Sequence, residues 1–197
     1  MTPIRVAVQA YMLDMMPQNL GAQPQQQPTT ARAGQQVQAL ANGLAVPSFW
    51  SANEINGAFA VANRIWDQAK IEFAPVRISQ RTETVPADEN GMWICFVNRL
   101  SPRSGIAVAF VFDLPSNEGG WGGGRIAAVA GAKAMGALPG FAGRLLAHEL
   151  AHILLNTPSH ESSSSNIMYG RRHPRVVTAD QLEPHQITTA RARALTL

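Results

Sequence analysis

Alternating hydrophobic and polar residues open the chain. The alternation from Ile4 to Leu13 predicts a first β-strand. From Ser51 to Lys70 the apolar residues recur at helical spacing instead, so we expect the first long helix there. Ser51 is a typical N-cap, and Glu54 three residues later completes a capping box. The intervening residues 14 to 50 are rich in proline and glutamine, a composition that favours a long loop.

Apolar runs bounded by turn residues predict four more strands in the middle of the chain. These strands are Ile71 to Ser79, Met92 to Asn98, Gly105 to Leu114 and Arg125 to Ala130. The glycine-rich stretch before the last of them, residues 118 to 124, is interpreted as a connector.

Helical patterns return in the last third of the chain. Pro139 occupies the favoured first position of a helix that runs to Leu155. A helical tail begins around Thr178, with a second capping-box pattern, and resumes after Pro184. The predicted order is therefore strand, helix, four strands, helix and helical tail. A length of 197 residues fits one domain, spanning residues 1 to 197 with the long loop inside it.

Composition narrows the function classes. The single cysteine, Cys95, lies in an apolar run and is expected to be core; it excludes an internal disulfide framework and a cysteine-rich zinc module. The net charge of +3 is only mildly basic, and no aromatic residues interleave with the arginines at 171, 172 and 175. Nucleic acid is therefore not an expected partner.

Membrane insertion and secretion also leave no mark on the sequence. No apolar run approaches the roughly 20 residues that a membrane-spanning helix needs. The first residues lack the charged-then-apolar pattern of a secretory signal. We therefore expect no membrane partner, and a protein that is cytoplasmic or exported by a signal-independent route.

The main chemical signal is the motif His148-Glu149-Leu150-Ala151-His152, which lies within the predicted helix ending at Leu155. Residues four apart lie one above the other on a helix, so both imidazoles point at one spot. Two neutral imidazoles at this separation can hold one zinc ion, and Glu149 is then beside the metal's open position as general base.

A catalytic zinc ion needs a third protein ligand, which has to come from beyond the helix. Asn156 tolerates the left-handed conformation that ends helices, and Pro158 prevents the helix from continuing. The chain can then turn back toward the metal, and His160 is the nearest histidine. Glu161 and the more distant His173 remain alternatives.

With these residues the sequence resembles the metzincin clan of zinc peptidases. The resemblance rests on the helical motif followed by a downstream histidine, and on Asn166-Ile167-Met168-Tyr169-Gly170, which looks like the clan's Met-turn with Met168 beneath the metal. Two departures are visible: Leu155 replaces the clan's usual glycine, and His160 comes two residues later than the usual third ligand. The resemblance extends over nearly the whole chain.

The resemblance implies both a fold and a function. The implied fold is an α+β sandwich with a mixed, mostly parallel five-stranded sheet and an antiparallel edge strand. This sheet would pack on a backing helix and an active-site helix, with a further C-terminal helix. The implied function is a zinc-dependent endopeptidase that hydrolyses peptide bonds, with one catalytic zinc ion. Protein or peptide substrates would bind in extended form along the segment Gly105 to Phe112.

Two alternative functions stay open at the level of sequence. A thermolysin-like peptidase would keep the zinc but take a distant glutamate, Glu183, as third ligand. A non-catalytic protein stabilised by zinc is the other alternative, although structural zinc sites are usually closed by four ligands and rich in cysteine. The arginines at 171, 172 and 175 follow the Met-turn-like segment and are interpreted either as a solvated basic face or as a pocket for acidic side chains.

Overall fold

A computed structural model gives the architecture of the protein. It describes residues 1–17, 50–86, 89–114, 119–131, 140–170 and 180–197. Five strands form one sheet: β1 (Ile4–Pro17), β2 (Ile71–Val85), β3 (Ile106–Val111), β4 (Gly120–Gly123) and β5 (Ile126–Ala130). Four α-helices accompany it within these residues: α1 (Ala52–Trp66), α2 (Glu89–Leu100), α3 (Phe141–Leu155) and α4 (Pro184–Ala194).

The strand order in the sheet is β2-β1-β3-β5-β4. The first four of these strands are parallel to their neighbours, and β4 runs antiparallel to β5 at the edge. The predicted α+β fold, a mostly parallel five-stranded sheet with an antiparallel edge strand, is therefore confirmed.

Helices cover both faces of the sheet. One buried cluster joins the sheet to α1, α3 and α4, and the other joins the opposite face to α2. All six residues of β3 are buried, as expected for a parallel strand with helices on both sides. The active-site helix α3 packs on α1, where Gly143 lies against Val61 so closely that a side chain at position 143 would overlap it.

The helix α1 forms as its sequence predicts. The Ser51 side chain accepts the Glu54 N–H, while the Glu54 carboxylate accepts the Ser51 N–H at 2.7 Å. This reciprocal capping box satisfies two backbone donors at the helix start. A short 3-10 turn, Asp67–Ala69, ends the predicted helical segment and leads into β2.

The predicted strand from Met92 to Asn98 is wrong, because this segment lies in α2. Its most buried residues, Met92, Phe96 and Leu100, recur every four positions. Ile94 is 56% exposed on the other side of the helix. A short apolar run does not by itself distinguish a strand from a helix, and here the helical spacing decides.

Three smaller predictions also need correction. β1 continues to Pro17, so residues 14 to 17 belong to the sheet, while residues 18–49 lie outside the described part of the chain. The glycine-rich connector contains β4. The capping box of the tail lies at Glu183 and Gln186 instead of at Thr178, and residues 180 to 183 are not helical.

No helix among the described residues is long and apolar enough to cross a membrane. Cys95 is buried, with a free thiol whose pKa is raised by burial, in agreement with the expectation that it belongs to the core.

Candidate metal centre

The helix α3 carries the two histidines of the motif on one side, four residues apart. His152 is buried and His148 is half-buried. The indole N–H of Trp66 donates to the Ala147 carbonyl at 3.2 Å and so ties α1 to this helix beside the motif. The position of both imidazoles is therefore set by a helix that is itself packed in the core.

The end of α3 orients His152. Asn156 adopts the left-handed conformation with φ 49°, as its sequence position predicts, and ends the helix. The turn that follows brings the Thr157 carbonyl within 2.7 Å of His152 Nδ1. The ring N–H at Nδ1 donates to this carbonyl, which leaves the Nε2 lone pair free to bind a metal.

A tight turn at residues 166 to 169 orients His148 in the same way. The Ile167 carbonyl lies 2.6 Å from His148 Nδ1 and accepts its proton. The turn is closed by the Tyr169 N–H, which donates to the Asn166 carbonyl at 3.0 Å. Met168 is buried in the core at the third position of this turn. The predicted Met-turn segment is therefore a tight turn that contacts the first histidine.

His160 is brought to the same spot by backbone pairing with this turn. The next residue, Glu161, donates its N–H to the Met168 carbonyl at 2.8 Å and forms a bridge with Tyr169. Gly170 lies directly against the His160 side chain. His160 itself is exposed, so the centre is open to solvent on this side.

The three histidines form a group whose geometry fits a metal ion. His148 Nε2 lies 3.2 Å from His152 Nε2 and 3.3 Å from His160 Nε2. All three ligand atoms lie within 4.8 Å of one another. Tetrahedral nitrogen ligands at about 2.05 Å from zinc would be roughly 3.3 Å apart.

The protonation state of the ring nitrogens supports the same conclusion. Nδ1 carries the proton in His148 and in His152, so their Nε2 atoms are both acceptors in the neutral rings. Two acceptors 3.2 Å apart cannot hydrogen-bond each other, whereas a cation between them satisfies both. Burial lowers the pKa of His148 to about 4 and lowers that of His152 as well. Both rings are therefore neutral and able to bind a metal at pH 7.

Glu149 is buried between α3 and the edge strand β4, with a relative exposure of 3%. A Cβ atom at Gly120 would lie 2.6 Å from Glu149 Oε1, and one at Gly122 would overlap the Glu149 carbonyl. The glycines of β4 thus allow the strand to lie directly on the motif. Glu149 and His152 are helical neighbours three residues apart, so the carboxylate is close to the histidine group.

The alternative ligands occupy other positions. Glu161 and Glu183 do not belong to the metal-binding group, and within the described residues His148, His152 and His160 are the one group of this kind. The Glu183 carboxylate caps α4 by accepting the Gln186 N–H. His173 and the arginines at 171, 172 and 175 lie outside the described residues.

Sequence reasoning missed the groups that hold the ligands in place. These are the carbonyls of Thr157 and Ile167, and the glycines at 120, 122 and 170. Carbonyl acceptors have no side-chain signal, but the glycines do: five of them within residues 119 to 124 are explained by close backbone approach.

Comparison with known proteins adds no relative. No protein-family model matches the chain, and no curated protein matches it. The geometry of the centre therefore carries the functional argument.

Proposed function

We propose that the protein is a zinc-dependent endopeptidase. The observation that carries the proposal is the combination of three converging Nε2 atoms with a buried glutamate on the same helix, next to an edge strand. Three protein ligands and an open side are typical of catalytic zinc sites, whereas structural sites are usually closed by four ligands.

Zinc is the metal that the donor set favours. The ligands are three neutral imidazole nitrogens, which suit zinc and other first-row transition metals, while calcium and magnesium prefer oxygen ligands. Each Nδ1 of the two buried rings donates to a backbone carbonyl, the second contact that metal-binding histidines usually make. When bound, zinc supplies a Lewis acid that lowers the pKa of water and stabilises negative charge on a carbonyl oxygen.

The role of Glu149 follows from its position and burial. As general base it takes the proton of the attacking water, and it then transfers this proton to the leaving amine. His148, His152 and His160 remain neutral and hold the metal throughout. The carbonyls of Ile167 and Thr157 keep the imidazole rings in the required tautomer.

The substrate-binding segment expected from the sequence, Gly105 to Phe112, needs revision. β3 lies between β1 and β5 in the sheet, so both of its edges are already paired. β4 is the edge strand, and it lies against Glu149. We therefore propose that an extended peptide pairs with the outer edge of β4 by main-chain hydrogen bonds.

The resemblance to metzincins belongs to this proposal. It is supported by the five-stranded sheet with its antiparallel edge strand and by the tight turn that contains Met168. The atypical spacing of His160 is compatible with it, because the left-handed Asn156 and the backbone pairing of Glu161 with Met168 return the chain to the two histidines.

The proposal is tested by comparing the wild type with Glu149→Gln and His160→Ala. We expect the wild type to bind one zinc ion and to cleave an unstructured protein. Glu149→Gln should retain zinc and lose cleavage by at least a thousandfold, because it keeps the ligands but cannot take a proton. His160→Ala should lose both zinc and cleavage. A Glu149→Gln protein with normal activity would exclude this mechanism, and a zinc-loaded wild type that cleaves nothing would favour a binding protein.

A further inference from the structure

A pair of tryptophans flanks the edge strand on the side away from the metal centre. The Trp93 ring of α2 and the Trp121 ring of β4 meet edge to face, with centroids 5.8 Å apart. Trp121 also contacts Phe96, which is fully buried beneath it. Both tryptophans are only half-buried, so part of each ring faces solvent.

Strand alternation explains why these rings lie beside a peptide bound to β4. Gly120 and Gly122 point toward Glu149 on α3, and the intervening Trp121 points to the opposite face. A Cβ atom at Gly123 would lie 3.6 Å from Trp93 Cζ2, so Trp93 extends along the strand beneath this residue. The strand therefore has a face of glycines toward α3 and an aromatic face toward α2.

The two indole N–H groups distinguish this pair from the other tryptophans. Trp50 and Trp66 donate to buried carbonyls at 2.8 and 3.2 Å. Trp93 and Trp121 donate to no acceptor among the described residues, and neither N–H is buried. Amphipathic rings with a free donor and an accessible face are common where proteins bind ligands.

We propose that Trp93 and Trp121 form a subsite for one bulky apolar side chain of an extended peptide substrate. The inference rests on the proposed function, since it needs a peptide paired with the outer edge of β4. Within the described residues, β4 has a strand partner on its β5 side alone, so this edge is available.

The register of pairing fixes which substrate residue enters the subsite. Residues directly opposite each other on paired strands point to the same face, about 5 Å apart at Cβ. The substrate residue opposite Trp121 therefore contacts the two rings, and its chain neighbours, opposite Gly120 and Gly122, point toward Glu149. The protein thus selects one apolar side chain that is adjacent in sequence to the residues facing the catalytic helix.

The test measures binding first, so that it does not depend on turnover. The Glu149→Gln protein, loaded with zinc, is titrated with fluorescein-labelled octapeptides in which each position in turn is fixed as Leu, Phe, Asp or Lys. We expect one position at which Leu and Phe bind at least about tenfold more tightly than Asp or Lys. In Glu149→Gln with Trp121→Ala this preference should fall to within about twofold.

A matched control and a specificity switch protect the test from misfolding. Ile94→Ala removes an exposed apolar side chain next to Trp93 on the same helix and should leave the preference unchanged. Trp121→Glu should reverse the preference toward Lys at the same position. Unchanged unfolding midpoints and zinc content accompany these results if the subsite alone is altered.

The outcomes separate this inference from the proposed function. The same positional preference in the Trp121→Ala and parent proteins, a preference for Lys in the parent, or no peptide binding at all would each overturn the subsite. Cleavage by the wild type is measured independently with the same peptides. A wild type that cleaves them while Trp121→Ala keeps its positional profile would retain the peptidase and discard the subsite.

Discussion

Gly170 lies so close to His160 that a Cβ atom at position 170 would overlap the Cβ and Cγ atoms of the histidine. His160 is exposed and is held to the centre mainly by the pairing of Glu161 with Met168 and by this contact. The absence of a side chain at position 170 is therefore a condition for the third imidazole to reach the other two.

Gly170→Ala should lower zinc affinity by at least about tenfold, a loss typical of changes to the groups that orient metal ligands. The added methyl group forces His160 to move, while His148 and His152 keep their contacts. Competition with a chelating dye measures the affinity. Gly57→Ala is the control, because a Cβ atom there has no neighbour within 4 Å and alanine suits a helix. Equal zinc affinities in the two variants would show that position 170 does not hold the ligand.

The close approach of β4 to α3 gives a second prediction. A Cβ atom at Gly122 would overlap the backbone of Glu149, which no rotamer change can relieve. Gly122→Ala should therefore displace the strand, destabilise the protein by about 2 kcal/mol and reduce kcat/KM by more than tenfold. Gly123→Ala is the neighbouring control, because its Cβ would make only an ordinary contact at 3.6 Å.

Peptide cleavage and denaturant unfolding measure both effects. Similar values for the two glycine variants would contradict the tight packing between the strand and the motif.

A buried pair of amides connects α4 with the turn beneath the centre. Gln186 Oε1 accepts both Asn166 Nδ2 and the Glu183 N–H at 2.9 Å. Asn166 Oδ1 in turn accepts the Met168 N–H at 2.8 Å. Gln186→Ala leaves two donors without their acceptor and should lower the free energy of unfolding by about 2 kcal/mol.

Denaturant unfolding at neutral pH measures this loss. His185→Ala changes the exposed preceding residue of the same helix and should cost less than about 0.5 kcal/mol. The Gln186→Ala protein should also bind zinc more weakly, because the turn that holds His148 is loosened. A loss equal to that of His185→Ala would show that the amide pair contributes little.

The parts of the protein that follow a strong local pattern could be predicted from sequence. The spacing of His148 and His152, the capping box of α1 and the helix end at Asn156 each depend on residues within one or two turns. The segment at Met92 could not be assigned in this way, since its six consecutive apolar residues fit a buried strand as well as a helix.

The contacts that complete the centre depend on residues far apart in the chain. The Ile167 carbonyl reaches His148 across 19 positions, and no side chain announces it. The glycines of β4 were interpreted as a connector because glycine is common in loops. Their actual reason, the close passage of β4 over Glu149, exists only once the sheet and α3 have packed together.

The low pKa of His148 makes the metal-free protein sensitive to acid. Burial lowers this pKa from 6.5 to about 4, so between these values the unfolded chain binds a proton at position 148 that the folded protein does not. Stability rises with pH wherever the unfolded state binds more protons, so the contribution of His148 is complete above pH 6.5 and is lost as the pH falls toward 4. We expect the urea midpoint of the chelator-treated protein to fall over this range. The fall should be less steep in His148→Gln, which cannot titrate, and equal slopes in the two proteins would contradict a buried, neutral imidazole.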